Sequence, residues 1–238
     1  AMIAGEYYGG SGNDSVILGG SLGGVIELSE GADSLVATAA NAATVLGGTE
    51  NDTFSFAGAV RDSSLVGGFG VDSITATGQL RGSTIWGGDP SNGGSPIDGA
   101  DYVSVASASA SAVYGNSGAD SVIIGGNATA TSLYGGMDND LVSITGDLSA
   151  GEIIGGSGSD SVIITGSLMG SATVKLDGSS STEEANDSLT VGFISNAAVY
   201  GNLGDDSMVV NSSALGASLY GGQGNDSFQM ALMTSGLA

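Results

Sequence analysis

The 238-residue chain has no cysteine, no histidine, three basic residues (Arg61, Arg81 and Lys175) and two prolines (Pro90 and Pro96). Without cysteine, neither disulfides nor thiol chemistry contribute, and the redox compartment stays open. The usual general bases, nucleophile partners and ligands for zinc, copper or haem are missing with His and Cys. Serine beside aspartate recurs, but no third orienting group stands near it, so no enzyme is expected. Three basic residues cannot neutralise a phosphate backbone, which excludes nucleic acid as a partner. With 25 acidic residues and a formal charge of -22, the chain would repel anionic lipid and attract cations. No apolar run approaches the ~18 residues of a membrane helix, so no transmembrane segment is expected. No basic start followed by an apolar run marks a secretory leader. The repeat begins almost at once, so the chain reads as a piece of something longer.

What is abundant is glycine, 44 residues, without the every-third-residue rule of collagen. Hydrophobic residues at 41%, rich in Val, Ile and Leu, argue against disorder. The glycines cluster in turns that end in a carboxylate and run into a short apolar strand. Gly9-Gly10-Ser11-Gly12-Asn13-Asp14 is the first, and the closing aspartates are Asp14, Asp33, Asp52, Asp72, Asp101, Asp120, Asp140, Asp160, Asp187, Asp206 and Asp226. They are separated by 19 or 20 residues, with two longer intervals of 29 and 27. A fixed short period marks a solenoid whose coils bury their apolar faces only by stacking.

The second and fourth residues after each aspartate are apolar nearly throughout, as in Val122/Ile124, Val142/Ile144 and Val162/Ile164, while the residue between varies without regard to polarity. That is a strand with one buried face. A second strand precedes each turn, with a large inward residue seven before the aspartate (Tyr7, Ile26, Leu65, Leu133, Leu219) and a small one two earlier. The other turn of the coil carries an inward plug eight residues after the aspartate, such as Leu22, Val60, Leu80, Leu148 or Leu168. The expected fold is all-β, a parallel β-solenoid of about eleven stacked coils, one domain over 1–238 with corner insertions at 87–101 and 177–187. At ~4.8 Å per layer its axis would run roughly 50 Å. Tyr8, Trp86, Tyr114, Tyr134, Tyr200 and Tyr220 recur just before the turns, where alternation points them outward. Same-face packing explains such a stripe. A contact surface along Tyr114, Tyr134, Tyr200 and Tyr220, for a surface glycan or a protein, is the other reading.

Glycine-rich turns place successive backbone carbonyls in conformations that other residues avoid. Stacked turns would bring carbonyls and closing carboxylates together as an oxygen cage, which suits calcium better than magnesium. Aspartates stacked at the strand spacing repel one another unless divalent ions lie between them.

These turns resemble the RTX, or haemolysin-type, calcium-binding repeat, whose nonapeptide reads G-G-x-G-x-D-x-U-x with U a large aliphatic. Full matches are Gly9/Gly10/Gly12/Asp14, Gly67/Gly68/Gly70/Asp72, Gly155/Gly156/Gly158/Asp160 and Gly221/Gly222/Gly224/Asp226. Gly115/Gly118/Asp120 and Gly201/Gly204/Asp206 are close. In Gly135-to-Asp140, Asp138 replaces the fourth glycine, as Glu50 does in Gly47-to-Asp52, and the turn ending at Asp33 lacks the first pair. The resemblance implies a right-handed β-roll with calcium held in the turns, folding outside the cell after secretion. In the family both corners of an 18-residue coil bind calcium. Here one corner per coil carries the motif, so one row of ions is expected, with none regular opposite. The functional reading is a calcium-dependent structural repeat region of a secreted bacterial cell-surface protein, such as a surface layer, matrix or adhesin. It would be joined end to end with itself or with neighbouring repeats of a parent protein. A non-catalytic folding or secretion module of an enzyme or toxin is the alternative.

Overall fold

The computed structural model describes residues 2–90, 98–178 and 185–231, with side chains from residue 5 onward. Every described element is a β-strand and every pairing is parallel, joining strands one coil apart from Met2–Ser11 to Ser227–Met230. The chain is an all-β parallel solenoid of about eleven turns. Val103, Val122, Val142, Val162 and Leu189 lie in one register column, and Leu133, Ile153, Val174 and Val199 in another. Both columns are buried in a single core.

Each regular coil has three strands rather than two. Ser121–Ile124 is followed by the two-residue strand Ala128–Thr129 and then by Ser132–Met137. The short strand carries the plug, with Val60, Ala128 and Leu148 fully buried there; Leu80 and Leu168, equally buried, sit at the same place near the ends of the nine-residue strands Ser73–Arg81 and Ser161–Met169. In Ser15–Glu30 and Ser34–Thr49 the three pieces run together as unbroken 16-residue strands. Coil length varies at this corner: register shifts fall between Ala76 and Gln79 and between Ile164 and Ser167, leaving the aspartate turns aligned. In three of the four 19-residue coils the plug moves up by one, to Ala40, Ala108 or Ile194, all buried; the first keeps Leu22 eight residues after Asp14 and makes up the difference between Leu22 and Gly24. The two long intervals carry their extra residues between Gly88 and Tyr102 and between Asp177 and Ser188; of the expected corner insertions at 87–101 and 177–187, residues 91–97 and 179–184 lie outside the described residues.

The small inward residues do more than make room. The buried Ser63, Ser83 and Ser111 hydroxyls donate to carbonyls two residues back in their own coil. Their oxygens accept the N–H of Ala43, Ser63 and Ser83 from the coil before, at 3.1 to 3.3 Å. Every one of these buried hydroxyls is thus satisfied, as a low-dielectric core requires.

The residue just ahead of that hydroxyl column takes a left-handed backbone in coil after coil. Gly82 and Gly216 occupy it, but so do Ala42, Ala110, Ala130 and Ala150 at φ of 48 to 52°. An L side chain is strained there by about 1 kcal/mol. Ala130→Gly is therefore expected to raise stability by up to about 1 kcal/mol in urea unfolding, against the usual penalty for glycine.

Inward-facing positions are exposed at the two ends. Tyr7 is 40% exposed, and Phe228 and Met230 are 46% and 43%. Each occupies an apolar column that is buried in the middle of the stack.

Candidate metal centre

The eleven aspartates form one continuous file. The N–H of each donates to Oδ1 of the aspartate one coil further on, from Asp14 to Asp33 through to Asp206 to Asp226, at 2.6 to 3.1 Å. From Asp33 onward one carboxylate oxygen of each is spoken for by the backbone. The other is not: Oδ2 of Asp14, Asp33, Asp52, Asp72, Asp101, Asp120, Asp140, Asp160, Asp187 and Asp206 is buried without a hydrogen-bond partner. Asp226, on the last described coil, is partly exposed.

The first glycine of the turn explains where those oxygens point. A Cβ placed on Gly47, Gly67, Gly115, Gly135 or Gly201 would strike Oδ2 of its own turn and the carbonyl oxygen of the glycine one coil on. On Gly155 it would strike Asp160 Oδ2 and the Leu176 carbonyl, and on Gly9 Asp14 Oδ2 and the Leu28 carbonyl. On Gly87 and Gly221 it would strike Oδ2 of Asp101 and Asp226, the aspartate atoms alone being the nearest neighbours there. Two oxygens that cannot donate thus converge between successive coils. At the second turn position Gly10, Gly68, Gly156 and Gly222 have φ of 101 to 132°. At the fourth, Gly12, Gly70, Gly118, Gly158, Gly204 and Gly224 do likewise, and Glu50 and Asp138 adopt φ of 69° there. Replacing the fourth glycine has therefore not changed the shape of those two turns.

A second, outer ladder runs the other way. Asn13, Asn51, Asn139, Asn186 and Asp205, each preceding a column aspartate, accept through Oδ1 from an N–H of the next coil at 2.6 to 3.2 Å. The opposite corner carries a shorter ladder of Asn127 and Asp147.

Burial, with repulsion from neighbouring carboxylates added, raises the pKa values of the column. Desolvation is the largest cause throughout, and the donated N–H opposes it. Asp101 is pushed up to about 9 and Asp120 and Asp140 to about 8. Asp52, Asp72, Asp160 and Asp187 are pushed up to about 7, and Asp206 to about 6. Asp33 also rises. Bare anions at these places are disfavoured, so each carboxylate needs a proton or a metal ion. The donor set is all oxygen and fits a hard cation. No three acidic side chains converge among the described residues, so an ion here would draw on backbone carbonyls as well as Oδ2.

Two further carboxylates enter this edge from outside the repeat. Asp177, fully buried, pairs in register with Gly156, and Asp98 turns its carboxylate into the space a Gly88 Cβ would fill. The sequence period misses both, because neither stands in step with the closing aspartates. Leu28 and Leu176 occupy first-glycine places and are buried. The aromatic stripe divides in two. Trp86, Tyr114 and Tyr134 stack with ring centroids 5.8 and 4.6 Å apart, and Tyr200 stacks on Tyr220 at 5.0 Å. Ile154 and Lys175 stand between, with the Lys175 ammonium 2.8 Å from Glu152.

Compared with protein-family models and with curated protein sequences, the chain matches none. Among solved structures it is similar to a hyperactive, Ca2+-dependent, β-helical antifreeze protein from an Antarctic bacterium. The TM-score is 0.55 at 18% identity, over 94% of this chain and 85% of that one. The likeness is one of fold.

Proposed function

We propose that the chain is a calcium-stabilised structural solenoid of a secreted bacterial cell-surface protein, its aspartate edge holding one row of ions between coils. The observation that carries this reading is the file of buried, unpartnered Oδ2 atoms, of which those of Asp14, Asp52, Asp72, Asp120, Asp140, Asp160 and Asp206 converge with a carbonyl oxygen of the next coil. The RTX-like turns and the calcium dependence of the similar antifreeze protein support the choice of ion. Gly9, Gly67, Gly115, Gly135, Gly155, Gly201 and Gly221 would clear space at the ion, and Asp14 through Asp226 would supply charge. Calcium in this role gives neutralisation and bridging and does no chemistry on a substrate.

The antifreeze activity of the similar protein does not carry over as readily. Binding ice calls for a repeated, flat array, and the third turn position here reads Ser11, Glu30, Thr49, Phe69, Ser117, Met137, Ser157, Leu203 and Gln223, with Ser117 buried and the rest exposed to differing degrees. A spacer or array element is the better fit, and the exposed Tyr7, Phe228 and Met230 give stacked copies or neighbouring coils an apolar surface to cover. A folding module attached to an enzyme or toxin would share the calcium edge without the assembly.

Circular dichroism in excess chelator at pH 8 tests the calcium reading. Strand signal is expected to fall and to return cooperatively on adding millimolar calcium, the range of extracellular sites. Unchanged strand content in chelator would overturn it. Light scattering then separates the two uses: calcium-dependent growth in mass supports the array element, and a strict monomer at high concentration supports the attached module.

A further inference from the structure

The two enlarged turns differ in sequence and length, yet they deliver a carboxylate to the same place. In the second, pairing sets Asp177 opposite Gly156, so an aspartate occupies the second-glycine position itself. In the first, Gly88 keeps that position opposite Gly68, and Asp98, ten residues on, reaches back so that its Oδ2 fills the volume of a Gly88 Cβ. Where the same position can be read in other coils it holds Gly10, Ser29, Gly48, Gly68, Gly136 or Gly222, none of them acidic.

The coil after each enlarged turn changes in step. Its second glycine becomes asparagine, Asn116 after the first and Asn202 after the second, both with positive φ. Asn202 Nδ2 donates to the Asp177 carbonyl at 3.1 Å, and Asn116 Cβ lies 3.3 Å from the same Gly88 volume that Asp98 fills. Asp177 Oδ2 accepts the Leu203 N–H at 2.8 Å. Its Oδ1 is left buried with no partner, in a residue that is 0% exposed, and its charge acts on Asp160 and Asp187, whose Oδ2 atoms are also unpartnered. The nearest basic residue in the chain, Lys175, faces outward to Glu152. Nothing in the described protein neutralises these oxygens together.

We propose that the enlarged turns build a second, tighter class of cation site within the row, in which Asp177 joins Asp187, and Asp98 joins Asp101. This rests on reading the aspartate edge as a calcium row. Two carboxylates match the charge of a divalent ion where an ordinary inter-coil space supplies one, and affinity in oxygen cages rises with the count of charged ligands. The two sites would fill first and order the stack from within.

Isothermal titration of calcium into chelator-stripped full-length chain, with ion counting by equilibrium dialysis, tests this. Two ions are expected to bind at least tenfold more tightly than the rest. Asp98→Asn and Asp177→Asn should each remove one ion from the tight class and leave the weak class unchanged in number; the double variant should remove both. Asparagine at 177 keeps an acceptor for Leu203. Asp98 belongs to no strand, so its variant is read independently of any folding defect at 177. A single uniform class in the wild type, or two tight ions retained in Asp98→Asn, would overturn the proposal while leaving the calcium row intact. No calcium uptake at all would overturn both.

Discussion

In excess chelator the melting temperature is expected to fall as pH is raised from 5 to 9, and saturating calcium is expected to abolish or reverse that slope. An unfolded aspartate loses its proton near pH 4, whereas the folded column holds its protons up to values of about 6 to 9. Between these limits the folded chain binds more protons than the unfolded one. Raised carboxylate values therefore give stability that is fully present below about pH 4 and is lost as pH climbs through the folded values. Each net proton costs ~1.4 kcal/mol per pH unit over the window where the two states differ. Calcium replaces the protons, so its uptake releases them and its stabilisation grows with pH. The largest gap between calcium-bound and chelated protein should thus appear near pH 9, with little gap at pH 5. Thermal unfolding by circular dichroism across that range, with and without calcium, measures both slopes. A chelated melting temperature that rises with pH would show that the column is not held as buried acid.

Gly156→Ala is expected to destabilise the chain by about 3 kcal/mol or more, a penalty of opposite sign to the gain at Ala130. Gly156 has φ of 132°, a backbone region that L residues rarely adopt. Its Cβ would also strike the carbonyl oxygen of Gly136, with the Gly136 carbonyl carbon and nitrogen at 2.8 and 2.9 Å. Those are main-chain atoms paired in a parallel ladder, so they cannot swing aside as a side chain would. Strain of ~1–3 kcal/mol and overpacking of similar size add, because one acts on the residue and the other on its neighbour. Urea unfolding in saturating calcium gives the number. A loss below 1 kcal/mol would mean that the turn relaxes far more than its hydrogen-bonded surroundings suggest.

The aspartate period made the stack, its inward columns and the edge that carries the carboxylates legible from the sequence. Val122, Ile124 and Leu133 are buried where alternation puts them, and the plug residues close the far corner. The third strand was not legible, because two residues such as Ala128–Thr129 are too short to show any alternation. Nor was the left-handed column, since Ala110, Ala130 and Ala150 are not turn-forming residues and take that backbone only because the coils on either side impose it. Asp98 and Asp177 were visible as charges in insertions, but their place depends on register, which a broken period hides. Tyr7, Phe228 and Met230 follow the inward pattern and are nonetheless exposed, because burial in a stack needs a neighbouring coil and not pattern alone.

The aspartate ladder crosses every boundary between the aspartate turns, and the outer ladder crosses five of them in the opposite sense. The inner carboxylate accepts from the coil before it, and the outer side chain accepts from the coil after it. Each coil therefore gives the next a donor, and a coil whose column aspartate follows Asn or Asp gives it an acceptor as well. Length in such a molecule comes in whole steps. Duplicating one full repeat, for instance 121–140, restores both ladders at the new joint, because Asn139 then meets its own copy, while a cut of half a repeat leaves each with an unmatched partner. A lineage could thus lengthen this chain by unequal recombination between its own repeats, in units of 19 or 20 residues, with both ladders kept.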